Sequence, residues 1–205
     1  MIISRKESDE LKTSESSPLS SNLEEVVLVN QKDEVLGTEE KIKAHQLGLL
    51  HRAFSVFIYR KQGEEIEFLL QKRHIDKYHC GGLWTNTCCS HPRLNEPVVL
   101  AAERRLKEEM SLSIPLRVVG SFVYRAAFEN GLIEHEFDHV LLGEFKEDSQ
   151  HTVSIKVDPQ EVEEYRWVSV SILEEELSNH PDLYTPWIKP AFALAMEGLL
   201  LKIRN

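Results

Sequence analysis

Two long stretches rich in β-branched and aromatic residues, PLRVVGSFVYRAAF and LIEHEFDHVLLGEF, meet at Glu129-Asn130-Gly131. Asn-Gly favours the tight turn that joins two antiparallel strands, so this feature predicts a long β-hairpin. A second pair of strand-like stretches, HRAFSVFIYR and IEFLLQKR, flanks the Gly-containing connection KQGEE and predicts another hairpin. The middle of this chain is therefore expected to form a β-sheet.

The segments around these strands combine short strands with helical patterns. Between Glu96 and Ser113 apolar residues recur at spacings of three and four, which predicts a helix, and further helices are predicted from Ser171 and after Pro186. A helix start is predicted in TEEKIKAH, where Thr38 and Lys41 form an incomplete capping box. Additional strands are predicted in EEVVLVN, in QKDEVLG, from Thr152 to Val157 and from Glu164 to Val170. Helices on both sides of a central sheet predict an α+β fold, an α/β/α sandwich with a mixed sheet.

Composition changes sharply near residue 24. Residues 1–23 are rich in Ser, Glu and Lys and nearly lack large apolar groups, so they are predicted to form a disordered N-terminal tail. The remaining residues, 24–205, are predicted to form a single domain, because a chain of 205 residues with 41% hydrophobic residues can bury one well-filled core.

Charge and cysteine content restrict the partners and the compartment. The formal net charge of −10 argues against nucleic acid or an anionic membrane as a partner, so an anionic substrate would need a locally basic pocket. Three cysteines, two of them adjacent, do not form a secretory disulfide framework. With no signal-peptide core and no run of membrane-spanning length, the protein is expected to be cytoplasmic.

The segment from Trp84 to Pro92, WTNTCCSHP, is the most suggestive chemically. In a strand, alternate side chains share a face, so Cys89 and His91 are predicted to point the same way. A thiol can take part in proton transfer, and an imidazole can bind a metal ion.

Further candidate ligands lie in two other segments. His45 and His51 flank Gly48 in KAHQLGLLH, while Glu134 and Glu136 share one face of a predicted strand. Taken singly, such histidines are more often surface or core residues, and paired strand carboxylates are usually a solvated face. Together, three imidazoles and two carboxylates suit a six-coordinate divalent ion such as Mn²⁺ or Zn²⁺. The predicted set comprises His45, His51, His91, Glu134 and Glu136.

Three other groups of residues could complete a site. Glu108 and Glu109 could hold Mg²⁺ against a diphosphate, although a plain charged helix face is the simpler interpretation. Scattered cations are normally only solubilising, yet four of them adjoin candidate site residues and could form an anion pocket: Lys41, Arg73, Lys77 and Arg105. Three aromatic residues could line an apolar pocket or simply fill the core: Trp84, Tyr124 and Trp187.

The motifs EKIKAH, LLHRAFSVF, GLWTNTCCSHP, RRLKEEM, IEHEF and TPW occur in the order found in type I isopentenyl-diphosphate isomerases. From about Glu24 to the last helix the chain resembles this metal-dependent family of the Nudix-like superfamily. The resemblance implies a Nudix-like sandwich that interconverts isopentenyl diphosphate and dimethylallyl diphosphate in isoprenoid precursor biosynthesis. It implies a small isoprenoid diphosphate as the partner, and we expect a monomer or weak dimer.

The resemblance also implies a role for each matching residue. The catalytic groups would be Cys89, rather than its neighbour Cys88, together with Glu136 and Tyr124. His45, His51, His91, Glu134 and Glu136 would bind one divalent ion, which could be Mn²⁺, Zn²⁺ or Mg²⁺, and Glu109 would bind an Mg²⁺ that arrives with the substrate. The diphosphate would contact Lys41, Arg73, Lys77 and Arg105, and Trp187 would cover the hydrocarbon end.

The predicted helix after Glu96 resembles an altered Nudix box. Six positions of the Nudix pattern agree: Glu96, Arg104, Leu106, Glu108, Glu109 and Leu112. Ser90 and Ser111 replace glycines, and Arg105 replaces a glutamate. Replacing a metal-binding carboxylate by a permanent cation removes a ligand and adds a phosphate contact. The resemblance therefore implies that diphosphate is bound here without being hydrolysed.

These parts suggest a mechanism of proton addition and removal through a tertiary carbocation. Our hypothesis is that Glu136, assisted by Tyr124, protonates isopentenyl diphosphate, while Cys89 removes a proton from the other face. The π face of Trp187 would stabilise the cation. The alternatives are a Nudix hydrolase acting on a nucleoside diphosphate or similar compound, a non-catalytic module binding a phosphorylated ligand, and, less consistent with carboxylate ligands, a structural zinc domain.

Overall fold

The computed structural model describes residues 24–146 and 154–204. The tail predicted for residues 1–23 lies outside the described residues. Within them the chain forms nine strands and four α-helices. The strands are β1 (Glu25–Val29), β2 (Val35–Glu40), β3 (His51–Gln62), β4 (Glu65–Arg73), β5 (Trp84–Thr85), β6 (Cys88–Ser90), β7 (Arg117–Ala127), β8 (Ile133–Glu144) and β9 (Val162–Ser169). The helices are α1 (Lys41–Leu47), α2 (Val98–Met110), α3 (Val170–Asn179) and α4 (Ile188–Arg204), with a short 3₁₀ turn at Pro181–Leu183.

Strand β3 is the centre of one mixed sheet. Along one edge it pairs in parallel with β8, from His51 opposite Glu136 to Tyr59 opposite Glu144. Along its other edge it meets β1, β6 and β4 in turn, each antiparallel. The predicted hairpins both form, β3 with β4 and β7 with β8, and β9 and β5 pair with β4. The parallel β3–β8 pair joins segments far apart in sequence.

Helices cover both faces of the sheet, which gives two apolar layers. On one face α2 contributes Ala102 and Leu106, which pack in a buried cluster with Val56 of β3 and Leu141 of β8. On the other face residues of α3 and α4 pack in a second buried cluster with alternate residues of the same strands, including Phe57. This arrangement confirms the predicted α+β sandwich with a mixed sheet. Among the described residues, every helix falls short of the length and apolar character needed to cross a membrane.

The start and end of α1 determine where two candidate ligands lie. The side chain of Glu40 caps the helix by accepting hydrogen bonds from the backbone N–H groups of Ile42 and Lys43, each at 2.8 Å. Thr38, the predicted capping residue, lies within β2 instead, because this strand continues to Glu40. The helix ends at Gly48, whose φ of 61° requires the left-handed conformation that glycine adopts freely. The chain then enters β3, so His45 and His51 lie on either side of this turn.

The structure contradicts one predicted strand and decides between two alternatives for Trp84. The strand predicted from Thr152 to Val157 does not form over residues 154–157, which are irregular, and its first two residues lie outside the described part of the chain. Trp84 does not face a pocket. Its ring packs against the apolar cluster beneath α4 and is covered by the guanidinium of Arg166, which lies 4.2 Å from the ring centroid. Of the two alternatives for Trp84, lining a pocket or filling the core, the structure therefore supports the second.

Candidate active site

A cavity of about 310 Å³ opens at the end of the sheet where β3, β6, β7 and β8 meet. Most of the predicted site residues line it: Lys41, Arg73, Lys77, Cys89, His91, Arg105, Glu109, Tyr124, Glu134, Glu136 and Trp187. His45 and His51 are fully buried and lie behind this lining, in contact with Glu134 and Glu136. The fold therefore brings every site residue implied by the family resemblance to this cavity or directly behind it.

Strand register explains how distant segments converge. Glu136 of β8 pairs with His51 of β3 on one side and with Tyr124 of β7 on the other. On the other edge of β3, Cys89 of β6 pairs with Ser55. Because residues 51 and 55 of β3 share a face, the side chains of Cys89 and Glu136 project from the same face of the sheet.

The three histidines and two glutamates predicted as metal ligands form one compact cluster. Each residue offers one donor atom, and these five atoms lie within 4.8 Å of one another. Glu134 and Glu136 are only 2% and 8% exposed, so the pair is not a solvated strand face. Nε2 of His45 lies 3.1 Å from Oε1 of Glu134, and Nε2 of His91 lies 2.9 Å from Oε1 of Glu136.

Backbone carbonyl groups fix the orientation of two of these imidazoles. Nδ1 of His45 donates to the carbonyl oxygen of Lys41 at 2.6 Å, and Nδ1 of His51 donates to that of Leu49 at 2.8 Å. In the neutral ring Nε2 is then unprotonated, yet in both residues Nε2 faces a carboxylate. Each of these contacts therefore needs either a proton on Nε2, which makes the imidazole a cation, or a metal ion.

The remaining donor atoms of the cluster also fit a divalent cation. Nε2 of His51 and Oε2 of Glu134 are buried and have no hydrogen-bond partner among the described residues. Burial disfavours the charged form of Glu134, but its contacts with the imidazoles of His45 and His79 hold the pKa of its carboxyl well below the usual value. A buried, ionised carboxylate beside unprotonated imidazole nitrogens is a suitable donor set for a divalent metal ion.

Cys89 and Glu136 differ in protonation state. Burial raises the pKa of the Cys89 thiol to about 12, although Arg73 opposes this shift and donates from Nη1 to Sγ at 3.5 Å. For Glu136, burial and the charge of Glu134 raise the pKa, but His51 and His91 outweigh them and lower it. The resting protein therefore holds a thiol at Cys89 and a carboxylate at Glu136. Under our hypothesis, a thiol at Cys89 and a carboxylate at Glu136 are the forms that react with dimethylallyl diphosphate. Reaction with isopentenyl diphosphate requires a thiolate at Cys89 and a protonated carboxyl at Glu136.

The four residues predicted to contact the diphosphate all line the cavity. Nζ of Lys41 lies 3.0 Å from Oε2 of Glu24, and Lys77 contacts Oε2 of Glu161. Nη2 of Arg105 lies 2.6 Å from Oε1 of Glu109 and 3.2 Å from Oε1 of Glu161. These four cations are the groups of the cavity that can contact an anionic substrate, and three of them pair with glutamates of the same lining.

The two glutamates proposed to hold Mg²⁺ occupy different places. Glu109 is 2% exposed and lines the cavity, where Nε2 of Gln71 donates to its Oε2 at 3.2 Å. The side chain of Glu108 is 44% exposed and pairs on the helix surface with Arg104 and Arg105. Glu109 alone of the two can therefore bind an ion inside the cavity.

Trp187 forms an aromatic part of the lining. It is 3% exposed, and its indole Nε1–H donates to Oδ1 of Asn86 at 3.2 Å. The centroid of its ring lies 6.1 Å from that of Tyr124, and the guanidinium of Arg73 lies 5.4 Å from it. This hydrogen bond fixes the indole, so its ring can contact an apolar part of a ligand.

Sequence reasoning missed several residues of the cavity: Glu24, Gln71, Tyr78, His79 and Glu161. Glu24, Tyr78, His79 and Glu161 lie outside helices and strands, where no periodicity marks a side chain as inward-facing. The charge of Glu161 gave no signal either, because acidic residues are common throughout this chain.

The chain is similar to known proteins over most of its length. The model of the NUDIX domain family matches residues 49–188. The chain is 50% identical over 178 residues to an isopentenyl-diphosphate Delta-isomerase of Photobacterium profundum, covering 86% of this chain and 96% of the relative. It is 46% identical over 164 residues to isopentenyl-diphosphate Delta-isomerase 2 of Photorhabdus laumondii, covering 80% and 88% respectively.

Solved structures agree on the fold. The crystal structure of DR0079 from Deinococcus radiodurans superposes with a TM-score of 0.59 at 17% sequence identity, covering 77% of this chain and 90% of that one. At this identity the likeness concerns the fold alone, and it confirms the predicted Nudix-like sandwich. Since the family model matches most of the chain and the relatives align over nearly their whole length, this chain is an enzyme of the isopentenyl-diphosphate Delta-isomerase family with a NUDIX domain.

Proposed function

We propose that this protein interconverts isopentenyl diphosphate and dimethylallyl diphosphate by adding one proton to the substrate and removing another. The observation that carries the proposal is that Cys89 and Glu136 line the same cavity as four cationic side chains and the indole of Trp187. The names of the relatives support this substrate pair.

The distribution of charge orients the substrate. The diphosphate would contact Lys41, Arg73, Lys77 and Arg105, and an accompanying Mg²⁺ would be held by Glu109. The five-carbon chain would then extend toward Trp187. Binding energy from the diphosphate, which does not react, would position the small hydrocarbon between the two proton-transfer groups.

Two groups exchange protons with the hydrocarbon in this proposal. Protonation of the terminal alkene carbon of isopentenyl diphosphate gives a tertiary carbocation, and loss of a proton from the neighbouring methylene gives dimethylallyl diphosphate. Glu136 would supply the first proton and Cys89 would accept the second, and their roles exchange in the reverse direction. After one turnover from isopentenyl diphosphate, Glu136 has lost a proton and Cys89 has gained one. A second turnover in the same direction therefore requires Glu136 to regain a proton and Cys89 to lose one.

Residues around Glu136 would control its proton. Tyr124 donates to Oε2 of Glu136 at 2.6 Å, and burial holds the pKa of this phenol well above its usual value, so Tyr124 stays a donor. A divalent ion bound by His45, His51, His91, Glu134 and Glu136, whether Mn²⁺, Zn²⁺ or Mg²⁺, would supply positive charge that makes the Glu136 carboxyl a stronger acid.

The carbocation must be stabilised and kept from water. The indole of Trp187 would contribute a cation–π contact worth on the order of 2 kcal/mol in a desolvated site. The cavity lining would exclude water, which would otherwise convert the cation to an alcohol. We also propose a reducing compartment, such as the cytoplasm, because the thiol of Cys89 must remain free.

Proton NMR of isopentenyl diphosphate incubated with the protein and divalent metal in D₂O tests the proposal directly. We expect dimethylallyl diphosphate to form and deuterium to enter both isomers. The same preparation is assayed for phosphate release from nucleoside diphosphates, the reaction expected of a Nudix hydrolase. Hydrolysis without isomerisation would replace our proposal with that alternative, and tight diphosphate binding without either reaction would indicate a binding module.

A further inference from the structure

The loop between β4 and β5 brings a fourth histidine to the metal-ligand cluster. The side chain of His79 is 4% exposed, and its Nε2 contacts Oε1 of Glu134. Neither ring nitrogen of His79 makes a hydrogen bond of ordinary geometry among the described residues, so the contact with Glu134 is the polar contact that its side chain has there. Burying an imidazole with so few polar contacts costs folding free energy, so a functional role for the contact with Glu134 would explain why it is kept.

Backbone contacts hold His79 in this position. Nη2 of Arg73 donates to the carbonyl oxygen of His79 at 3.4 Å, and Nδ2 of Asn130 donates to that of Tyr78 at 2.7 Å. Two residues further on, a Cβ atom on Gly81 would lie 2.2 Å from the carbonyl oxygen of Ile75, so only glycine allows the loop to close this tightly. The loop is therefore built to a fixed shape.

Ring contacts orient the imidazole itself. The ring of His79 stacks on that of Phe128, with centroids 5.0 Å apart and planes inclined by 4°. It also meets the ring of Trp187 edge to face at 6.0 Å. Packed between two aromatic side chains, the imidazole presents Nε2 to Glu134 with little freedom to turn away.

Glu134 needs a donor that His45 cannot supply in its neutral form. Nδ1 of His45 donates to the backbone at Lys41, so Nε2 directs a lone pair at Oε1 of Glu134. His79 contacts the same oxygen from outside the five-residue cluster, and no competing acceptor among the described residues claims its Nε2–H. A donor at Oε1 leaves Oε2 of Glu134, which has no hydrogen-bond partner there, for a metal ion.

We propose that His79 is a positioning residue for the metal centre: its Nε2–H donates to Oε1 of Glu134 and thereby directs Oε2 toward the other ligands. The inference rests on the proposed metal-dependent function, and it assigns His79 no contact with substrate. Hydrogen bonds to a ligating carboxylate fix its orientation, and loss of such a partner typically costs about 10- to 100-fold in metal affinity.

Three substitutions separate the hydrogen bond from packing. His79→Phe keeps a flat ring against Phe128 but has no donor. His79→Gln provides an amide donor that can reach Oε1, and His79→Asn carries the same amide on a side chain one methylene shorter. His74→Phe is the matched control, because His74 lies on the same loop, is partly exposed and does not line the cavity.

The measurements are the affinity of each full-length variant for Co²⁺ and the visible absorption spectrum of the bound ion, which reports its coordination. We expect His79→Phe and His79→Asn to bind Co²⁺ about 10- to 100-fold more weakly with an altered spectrum. We expect His79→Gln and His74→Phe to stay close to the unmodified protein. The Gln and Asn variants keep the comparison valid if the Phe variant does not fold.

The result also distinguishes this inference from the proposed function. Equal Co²⁺ affinity and spectra in all four variants would overturn the positioning role, even if the unmodified protein isomerises isopentenyl diphosphate. Weaker binding in the Phe and Asn variants would support the role, even if the unmodified protein failed to isomerise its proposed substrate.

Discussion

Tyr124 and Glu136 face each other across the β7–β8 hairpin, and the phenol donates a 2.6 Å hydrogen bond to Oε2 of the carboxylate. The other oxygen of Glu136, Oε1, lies 2.9 Å from Nε2 of His91. One carboxylate thus connects the histidine cluster to a phenol that lines the cavity. This relationship leads directly to a prediction for Tyr124.

Tyr124→Phe removes the hydroxyl and retains the ring. A hydrogen bond to a charged group is worth about 1.5–3 kcal/mol, so we expect kcat to fall about 10- to 100-fold while metal content is unchanged. Steady-state kinetics and elemental analysis check both parts. Tyr165→Phe is the control, because Tyr165 is 39% exposed and lies outside the cavity. Unchanged kcat in Tyr124→Phe would mean that the phenol takes no part in the reaction.

The adjacent cysteines provide a matched pair. Cys89 lines the cavity, whereas Cys88 is fully buried in the apolar cluster beneath α2. We expect Cys89→Ala to abolish isomerisation and Cys88→Ala to retain most of it, with a loss of stability of about 1 kcal/mol for the small cavity left behind. Turnover measured by NMR and chemical unfolding test this. Similar activity in the two variants would remove Cys89 from the catalytic role.

Arg105 and Arg104 are consecutive on α2 but serve different surfaces. Arg105 faces the cavity and pairs with Glu109, while Arg104 pairs with Glu96 on the outer side of the helix at 2.8 Å. We expect Arg105→Ala to raise KM for isopentenyl diphosphate by about 10-fold or more, because a phosphate contact is lost and Glu109 is left unneutralised. Arg104→Ala is expected to leave KM nearly unchanged. An equal effect of both substitutions would argue against a diphosphate contact at Arg105.

The buried imidazole of His91 predicts a pH dependence of stability for the metal-free protein. Burial lowers the pKa of His91 from 6.5 to about 4 in the folded state, although Glu136 opposes the shift. Between these values the unfolded chain binds a proton that the folded protein does not. The free energy of unfolding is therefore expected to fall as pH falls from 6.5 to 4, by at most about 1.4 kcal/mol per pH unit from this group.

Comparison with His91→Asn isolates this contribution. We expect the variant to lose less stability over the same pH range when both proteins are unfolded by urea in the presence of chelator. Parallel pH profiles for the two proteins would show that the pKa of His91 is the same in the folded and unfolded states, which would contradict the prediction.

Ser111 occupies the position where the Nudix pattern has glycine, and its backbone has a φ of 55°. This left-handed conformation costs a residue with a Cβ about 1 kcal/mol relative to glycine. Ser111→Gly is therefore expected to stabilise the protein by up to about 1 kcal/mol, measured by urea unfolding, with unchanged kinetics. A destabilised variant would mean that the Ser111 side chain makes a favourable interaction that outweighs the backbone strain.

Local patterns in the sequence predicted most elements of the fold. The Asn130-Gly131 turn and the spacing of apolar residues in α2 act over a few residues, so the hairpin and the helix are recognisable without knowledge of the rest of the chain. The family motifs likewise pointed to many of the residues that line the cavity, but not to Glu24, Gln71, Tyr78, His79 or Glu161. The cap of α1 was predicted at Thr38 rather than at Glu40, because the boundary between β2 and α1 depends on how far β2 pairs with β1.

The sequence by itself thus determined the types of element and the chemical groups available for a site. Only the tertiary structure decided that Glu134 and Glu136 are buried rather than solvated, that Glu108 stays outside the cavity, and that His79 reaches the ligand cluster. The physical reason is that burial and convergence arise from the parallel pairing of β3 with β8 and from the shape of irregular loops. The strand pairing and the loop shapes both depend on contacts between residues far apart in the chain. Such contacts leave no periodic pattern in the local sequence.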